Sequence, residues 1–245
     1  MNKIQSGNMN DIFDQIYIIN LEERTDRKVE ISEQLQLVGL SFSDPLVQLF
    51  PAHRPETPGD FPSIGARGCF MSHLDIIGQA MSSGHNSILI LEDDMDWTLA
   101  ALAPDNDVLQ TFTDTDWKFL HGGLGADGWD RNTKFHLKQV MANQGLLLTH
   151  FIGLRGDAIQ LAHRYLSDIL SRPPGSPLGG PMHVDGAYSW LRKDHAEIAS
   201  YICSPSVACQ RPSLSDISPH TGLKAMPIIS HVLTVVRKIR KAFNR

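Results

Sequence analysis

Three consecutive acids, Glu92, Asp93 and Asp94, follow directly on the apolar run Ser87–Leu91 (SILIL). A short unbroken apolar run is the pattern of a strand covered on both faces. Three carboxylates at its end repel one another beside a low-dielectric core, so they need compensation. A bound divalent cation supplies it, and oxygen ligands suit Mg²⁺ or Mn²⁺. Such a cation neutralises a diphosphate and makes it a better leaving group. The alternative is an exposed acidic loop with no ligand.

The elements that must position these acids follow from hydrophobic spacing. Ile16–Leu21 (IYIINL) is an apolar, β-branched run of strand length. Thr25 or Asp26 is expected to cap a following helix, and Gly39 to stop it. A second helix is expected from about Gly68 to Ser83, closed by Gly84, because Phe70, Leu74, Ile77 and Met81 repeat at helical spacing. Trp117–Leu120, Phe135–Val140 and Leu146–Ile152 read as further strands, and Ala158–Leu170 as a helix. This order predicts an α/β fold: one domain with an open, mostly parallel sheet flanked by helices, and ligands at the carboxyl ends of its strands. A Pro- and Gly-rich segment, residues 171–182, reads as a mobile loop.

The 245 residues suffice for one substantial core, and 42% hydrophobic with 20% charged residues is ordinary globular composition. A net charge of -5 argues against a general nucleic-acid binder. Residues Met1 to Asp11 are polar, without the apolar centre of a secretory signal, and no run approaches a membrane span, so a cytoplasmic chain is expected. Cys69, Cys203 and Cys209 are odd in number and lack zinc-ligand spacing, so they read as small buried hydrophobes.

Asp94-Met-Asp96-Trp-Thr98 after an apolar strand is similar to the first motif of haloacid-dehalogenase-like phosphohydrolases. That similarity implies Asp94 as nucleophile and Asp96 as acid/base, with a later acidic pair required on another strand; Gly156-Asp157, after an apolar run, is the nearest candidate.

Five segments in order resemble glycosyltransferase family 25. They are IYIINLEERTDR (Ile16 to Arg27), GARGCFMSH (Gly65 to His73), LILEDD (Leu89 to Asp94), PMHVDGAYS (Pro181 to Ser189) and SLSDI (Ser213 to Ile217). The resemblance implies a GT-A-like fold and an inverting, metal-dependent transfer of a hexose. Galactose from UDP-galactose leads, with UDP-glucose next. The implied acceptor is a lipooligosaccharide or other surface glycan or glycolipid, and Mn²⁺ or Mg²⁺ the cofactor. It places Asn20, Arg24 and Arg27 beside the nucleotide, where guanidinium groups suit phosphate oxygens; surface pairing with Glu22, Glu23 or Glu30 is the alternative. Gly65 and Gly68 would admit an anion where the second helix begins.

Ser72 and His73 match a Ser-His pair that would bond the donor, although His73 shares the face of Phe70 and Ile77 and equally suits a buried structural role. Asp94 is the implied metal ligand, with Glu92 and Asp93 on the ribose or completing the metal shell. Asp185 is the implied base for the acceptor hydroxyl, a helix N-cap being its other reading. Asp216 would support the metal or donor. A non-catalytic nucleotide-sugar binder would carry the same motifs.

The chain therefore divides on paper into a catalytic domain, residues 1–225, and a tail, residues 226–245. Val232, Leu233, Val236, Ile239 and Phe243 recur in the tail at helical spacing beside Arg237, Lys238, Arg240, Lys241 and Arg245. That pattern suits either the cytoplasmic face of a membrane or a helix docked on the domain.

Overall fold

The first strand, β1 (Gln15–Asn20), has Ile16 to Ile19 buried. Alternate side chains enter different cores. Tyr17 and Ile19 join one apolar cluster, whereas Ile16 and Ile18 join another. The computed structural model describes residues 9–103, 107–124 and 133–211, all within one compact unit ending at Arg211. Asp216, the SLSDI segment, residues 125–130 and the basic tail lie outside the described residues.

After β1 come α1 (Thr25–Leu37), β2 (Val47–Pro51), α2 (Ile64–Ser82) and β3 (Ser87–Glu92). Next are β4 (Met95–Trp97), α3 (Leu99–Leu102), α4 (Val108–Asp114), β5 (Phe119–His121), β6 (His136–Gln139) and β7 (Phe151–Arg155). The described part closes with α5 (Asp157–Ser171), α6 (Val184–Asp194), β8 (Ser200–Ser204) and β9 (Ala208–Gln210). Seven strands form one open sheet in the order β2-β1-β3-β7-β5-β8-β6, and β4 pairs with β9 beside it. Five of the seven point one way; β6 and β7 are reversed. Helices α2, α5 and α6 contribute to one core, with α1 and α4 on the other face. Among the described residues no helix is long and apolar enough to cross a membrane.

Several boundaries differ from the sequence expectation for physical reasons. Helix α1 has Arg24 at its N-cap with no side-chain cap bond; Thr25 and Asp26 are already helical. Asp26 instead binds Arg24 and complements the helix dipole from the first turn. The helix ends at Gly39 as expected, where φ is +80° and the Leu40 amide bonds the Leu35 carbonyl. Helix α2 starts four residues before Gly68, because Ser63 caps it by accepting from the Ala66 amide. Gly68 is therefore inside the helix and opens no anion site there. Its lack of a side chain serves another close approach, since a Cβ would come within 2.3 Å of the His53 carbonyl oxygen.

The strand expected over Leu146–Ile152 begins only at Phe151. Leu148 has φ +70°, alone among the described non-glycine residues in the left-handed region, and breaks the extended run. Trp117 is wholly buried, with its indole N–H on the Phe112 carbonyl, and precedes β5 instead of joining it. Beyond Ser171, the last residue of α5, residues 173–179 form turns closed by Arg172 on the Leu178 carbonyl, and Gly180 lies against the Pro173 backbone.

Gly68→Ala is expected to destabilise the chain by about 1–3 kcal/mol, because the methyl meets rigid backbone. Gly145, with nothing within 4 Å of a built Cβ, is the control. Its alanine variant is expected within about 0.5 kcal/mol of the parent in urea unfolding.

Candidate active site

The register of the sheet gathers the site at one edge. Ile19 pairs with Glu92 across β1 and β3, and the Asp93 amide bonds the Ile19 carbonyl. Because β7 runs against β3, its amino end lies at the same edge: Leu91 faces Phe151, and the Glu92 amide bonds the His150 carbonyl. The end of β5 places His121 there too, opposite Ile152.

The three acids have three different environments. Asp93 is buried and accepts from Asn20 Nδ2 at 2.7 Å and Arg27 Nη1 at 2.9 Å. Burial still outweighs Asn20 and Arg27 and holds its carboxyl above the usual range. Asn20 also bonds the Arg24 carbonyl, tying the β1 end to the first turn of α1. Arg24 itself clamps Asp26 with two bonds.

Glu92 Oε1 accepts from the Thr149 hydroxyl at 2.5 Å and lies 3.8 Å from His73 Nε2. Burial would raise its pKa, but His73, Thr149 and His150 outweigh that and keep it ionised below the usual range. Asp94 is only 6% exposed. Its Oδ2 accepts from Gln210 Nε2 at 3.2 Å and lies 3.6 Å from Arg27 Nη1, while Oδ1 is buried with no hydrogen bond. Burial first, then the charge of Glu92, push its carboxyl up to about 7, against the pull of Arg27. An orphaned buried carboxylate oxygen is what a hard divalent cation would compensate, so Asp94 has the chemistry to ligate such an ion.

Helix α6 meets the segment before β7 beside Glu92. Asp185 lies in the first turn of α6, where Oδ1 accepts from the Gly186 amide at 2.7 Å and Oδ2 from the Leu148 amide at 3.3 Å. The N-cap is His183, so Asp185 does not cap the helix. His121 Nε2 meets the Leu147 and Leu148 carbonyls at 3.1 and 2.9 Å, and Arg192 donates to the carbonyls of Gln144 and Met141. These bonds hold the left-handed turn at Leu148. His150 is buried, and neither ring nitrogen makes a hydrogen bond. Burial lowers its pKa despite the attraction of Glu92 and the nearby Ala208 backbone.

The structure thus brings Asn20, Arg27, Glu92, Asp93 and Asp94 together, with His73 and Asp185 close by. Arg27 occupies itself with Asp93 and Asp94 instead of the surface acids Glu22, Glu23 and Glu30. Ser72 faces inward, donating to the Gly68 carbonyl and accepting from the His53 amide. His73 is fully buried with Nδ1 on the Tyr188 hydroxyl at 3.0 Å. Sequence reasoning missed Thr149, His150, His121, Tyr188 and Gln210. A Thr-His pair immediately before an apolar strand was the available signal for the first two.

The phosphohydrolase arrangement does not form. Asp157 follows β7 and so lies at the opposite edge, where the Gly156 amide bonds the Asn86 carbonyl and Asp157 pairs with Lys118 at 3.0 Å. Asp96 is engaged by Arg211, which also binds Glu30.

Residues 13–210 match the family model described as glycosyltransferase family 25 (LPS biosynthesis protein). The SLSDI segment lies beyond that span. The chain is also similar to a solved structure titled crystal structure of a glycosyltransferase involved in the glycosylation of the major capsid of PBCV-1. Identity is 13%, over 77% of this chain and 91% of that one, with a TM-score of 0.37. No curated protein matches the chain.

The raised Asp94 pKa has a testable sign. The folded chain holds this proton more tightly than the unfolded chain, whose value is the ordinary 3.8. The carboxyl therefore favours the fold at low pH, and that contribution is lost as pH rises towards about 7. Asp94→Asn is expected to exceed the parent in stability at pH 8 by a few kcal/mol (about 4 at most), with the gap closing near pH 4. Urea midpoints at the two pH values read this, and equal midpoints at both would refute it.

Proposed function

The chain belongs to glycosyltransferase family 25, and from that premise we propose that it is an inverting hexosyltransferase using a UDP-sugar, UDP-galactose above UDP-glucose. The proposed acceptor is a lipooligosaccharide or another surface glycan. The observation that carries the reading is Asp94: a buried carboxylate with an unbonded oxygen, at the carboxyl end of a buried strand.

In the proposed site Asp94 and Glu92 would hold a divalent cation, Mn²⁺ or Mg²⁺, whose charge would neutralise the donor diphosphate. Arg27 and Asn20 keep Asp93 in place and so set the direction in which Asp94 leaves the strand. Asp185 holds the acceptor hydroxyl and takes its proton as the hydroxyl oxygen bonds to the anomeric carbon. The bond from that carbon to the diphosphate oxygen breaks on the opposite face, and UDP leaves. Asp185 suits this role because its backbone bonds fix its orientation while each oxygen keeps a lone pair. Asp216 stays a proposed supporting residue for the metal or donor. The fold proposed for the whole catalytic domain is the GT-A type.

Purified chain with UDP-galactose, Mn²⁺ and a lipooligosaccharide acceptor is expected to give a β-linked product by NMR. Asp185→Asn is expected to lower kcat by about 10²–10⁴ while donor binding changes only a few-fold. A parent chain that binds UDP-sugar without transferring or hydrolysing it would instead be a non-catalytic binder.

The amphipathic basic pattern of residues 228–245 supports a peripheral position on the anionic cytoplasmic face of a membrane. Full-length chain is expected to float with anionic liposomes in low salt, and a chain lacking Ile228–Arg245 to remain in solution. Equal flotation of both would reject that position.

A further inference from the structure

Cys69 and His73 stand four residues apart on α2, and both side chains reach towards Glu92 at the end of β3. One ligand atom from each of the three, a sulfur, a nitrogen and an oxygen, fits within a 4.8 Å span. Cys69 Sγ is 3.9 Å and His73 Nε2 3.8 Å from Glu92 Oε1. The second distance is too long for a hydrogen bond. Zinc bonds of about 2.3 Å to sulfur and 2.0–2.1 Å to nitrogen and oxygen, in a tetrahedron, separate ligand atoms by about 3.3–3.5 Å. Closing the two contacts to Glu92 by a few tenths of an ångström brings them to that spacing.

A second feature points the same way. His73 is fully buried, yet Nε2 has no hydrogen bond. Its Nδ1 is anchored on the Tyr188 hydroxyl, and in the metal-bound form, with Nδ1–H donating, Nε2 presents its lone pair to the ion. A ligand histidine held through its other nitrogen is how proteins orient imidazole towards a metal.

We propose that Cys69, His73 and Glu92 form a site for a thiophilic divalent cation of the zinc or cobalt type, separate from the oxygen ligands of Asp94. The mixed sulfur, nitrogen and oxygen set selects such ions over Mg²⁺ and Mn²⁺. Coordination replaces the thiol proton, which leaves to solvent. Thr149, bonded to Glu92 Oε1, orients the carboxylate. The charge of Glu92 also acts on Asp94, so an ion held here engages an acid of the proposed donor site and makes zinc an inhibitor of transfer.

Titration of the full chain with Co²⁺, followed by absorption, tests the site without any transfer assay. One equivalent is expected to produce a near-ultraviolet sulfur-to-cobalt band that Zn²⁺ abolishes. Cys69→Ser is expected to remove the band and weaken binding at least tenfold, whereas Cys209→Ser keeps it. The parent fold of Cys69→Ser is checked by its circular dichroism, with Cys69→Ala as a second variant. No band in the parent, or an equal band in both Cys69 variants, would overturn the site. The cobalt spectrum is independent of the transferase assay, so failure of one leaves the other standing.

Discussion

Three carboxylates leave a strand that is buried on both faces, and each must be reconciled separately with that burial. A buried ion without a partner costs several kcal/mol, so most of the local architecture around β3 works against that cost. Asp93 is met by Arg27 and Asn20, which explains why the turn after β1 is folded back over the end of β3. Glu92 is met by Thr149 and approached by His73, which brings in the segment before β7 and the middle of α2. Asp94 has the Gln210 amide and the more distant Arg27 at one oxygen, and nothing at the other. The residue that is least reconciled is the one for which a ligand makes the largest difference, and its raised pKa expresses the same imbalance.

The reversal of β7 matters as much as the acids. In a wholly parallel sheet the neighbour of β3 would bring its carboxyl end to this edge, followed by a helix. Here the neighbour brings its amino end, preceded by the irregular segment around Leu148. That segment carries Thr149 and His150 to Glu92 and offers the Leu148 amide to Asp185. Arg192 and His121 hold its carbonyls from beneath. Backbone in a sparsely populated conformation persists only where several neighbours impose it, and such places cluster at functional sites.

The reading of His73 and Ser72 as donor contacts fares differently from that of the acids. Both face into the protein between α2 and its neighbours, with Ser72 bonded to two backbone groups and His73 to Tyr188. The bonds of these two residues tie α2 to the segment after β2 and to α6. The glycine before them follows the same logic: Gly68 lets the chain at His53 cross the helix closely, a packing role where an anion was expected.

The sequence by itself determined the family and the main strand and helix order, because those rest on local patterns. An unbroken apolar run ending in acids is visible without a structure, as is a glycine placed to stop a helix. The direction of β7, the bond between Arg27 and Asp93, and the meeting of Cys69 with Glu92 were decided only by the tertiary structure. Strand direction leaves no mark in an apolar run, and Arg27 and Asp93 are far apart in the chain. Their pairing exists because the register of β1 on β3 brings two strand ends together, a constraint imposed by packing and invisible in either segment alone.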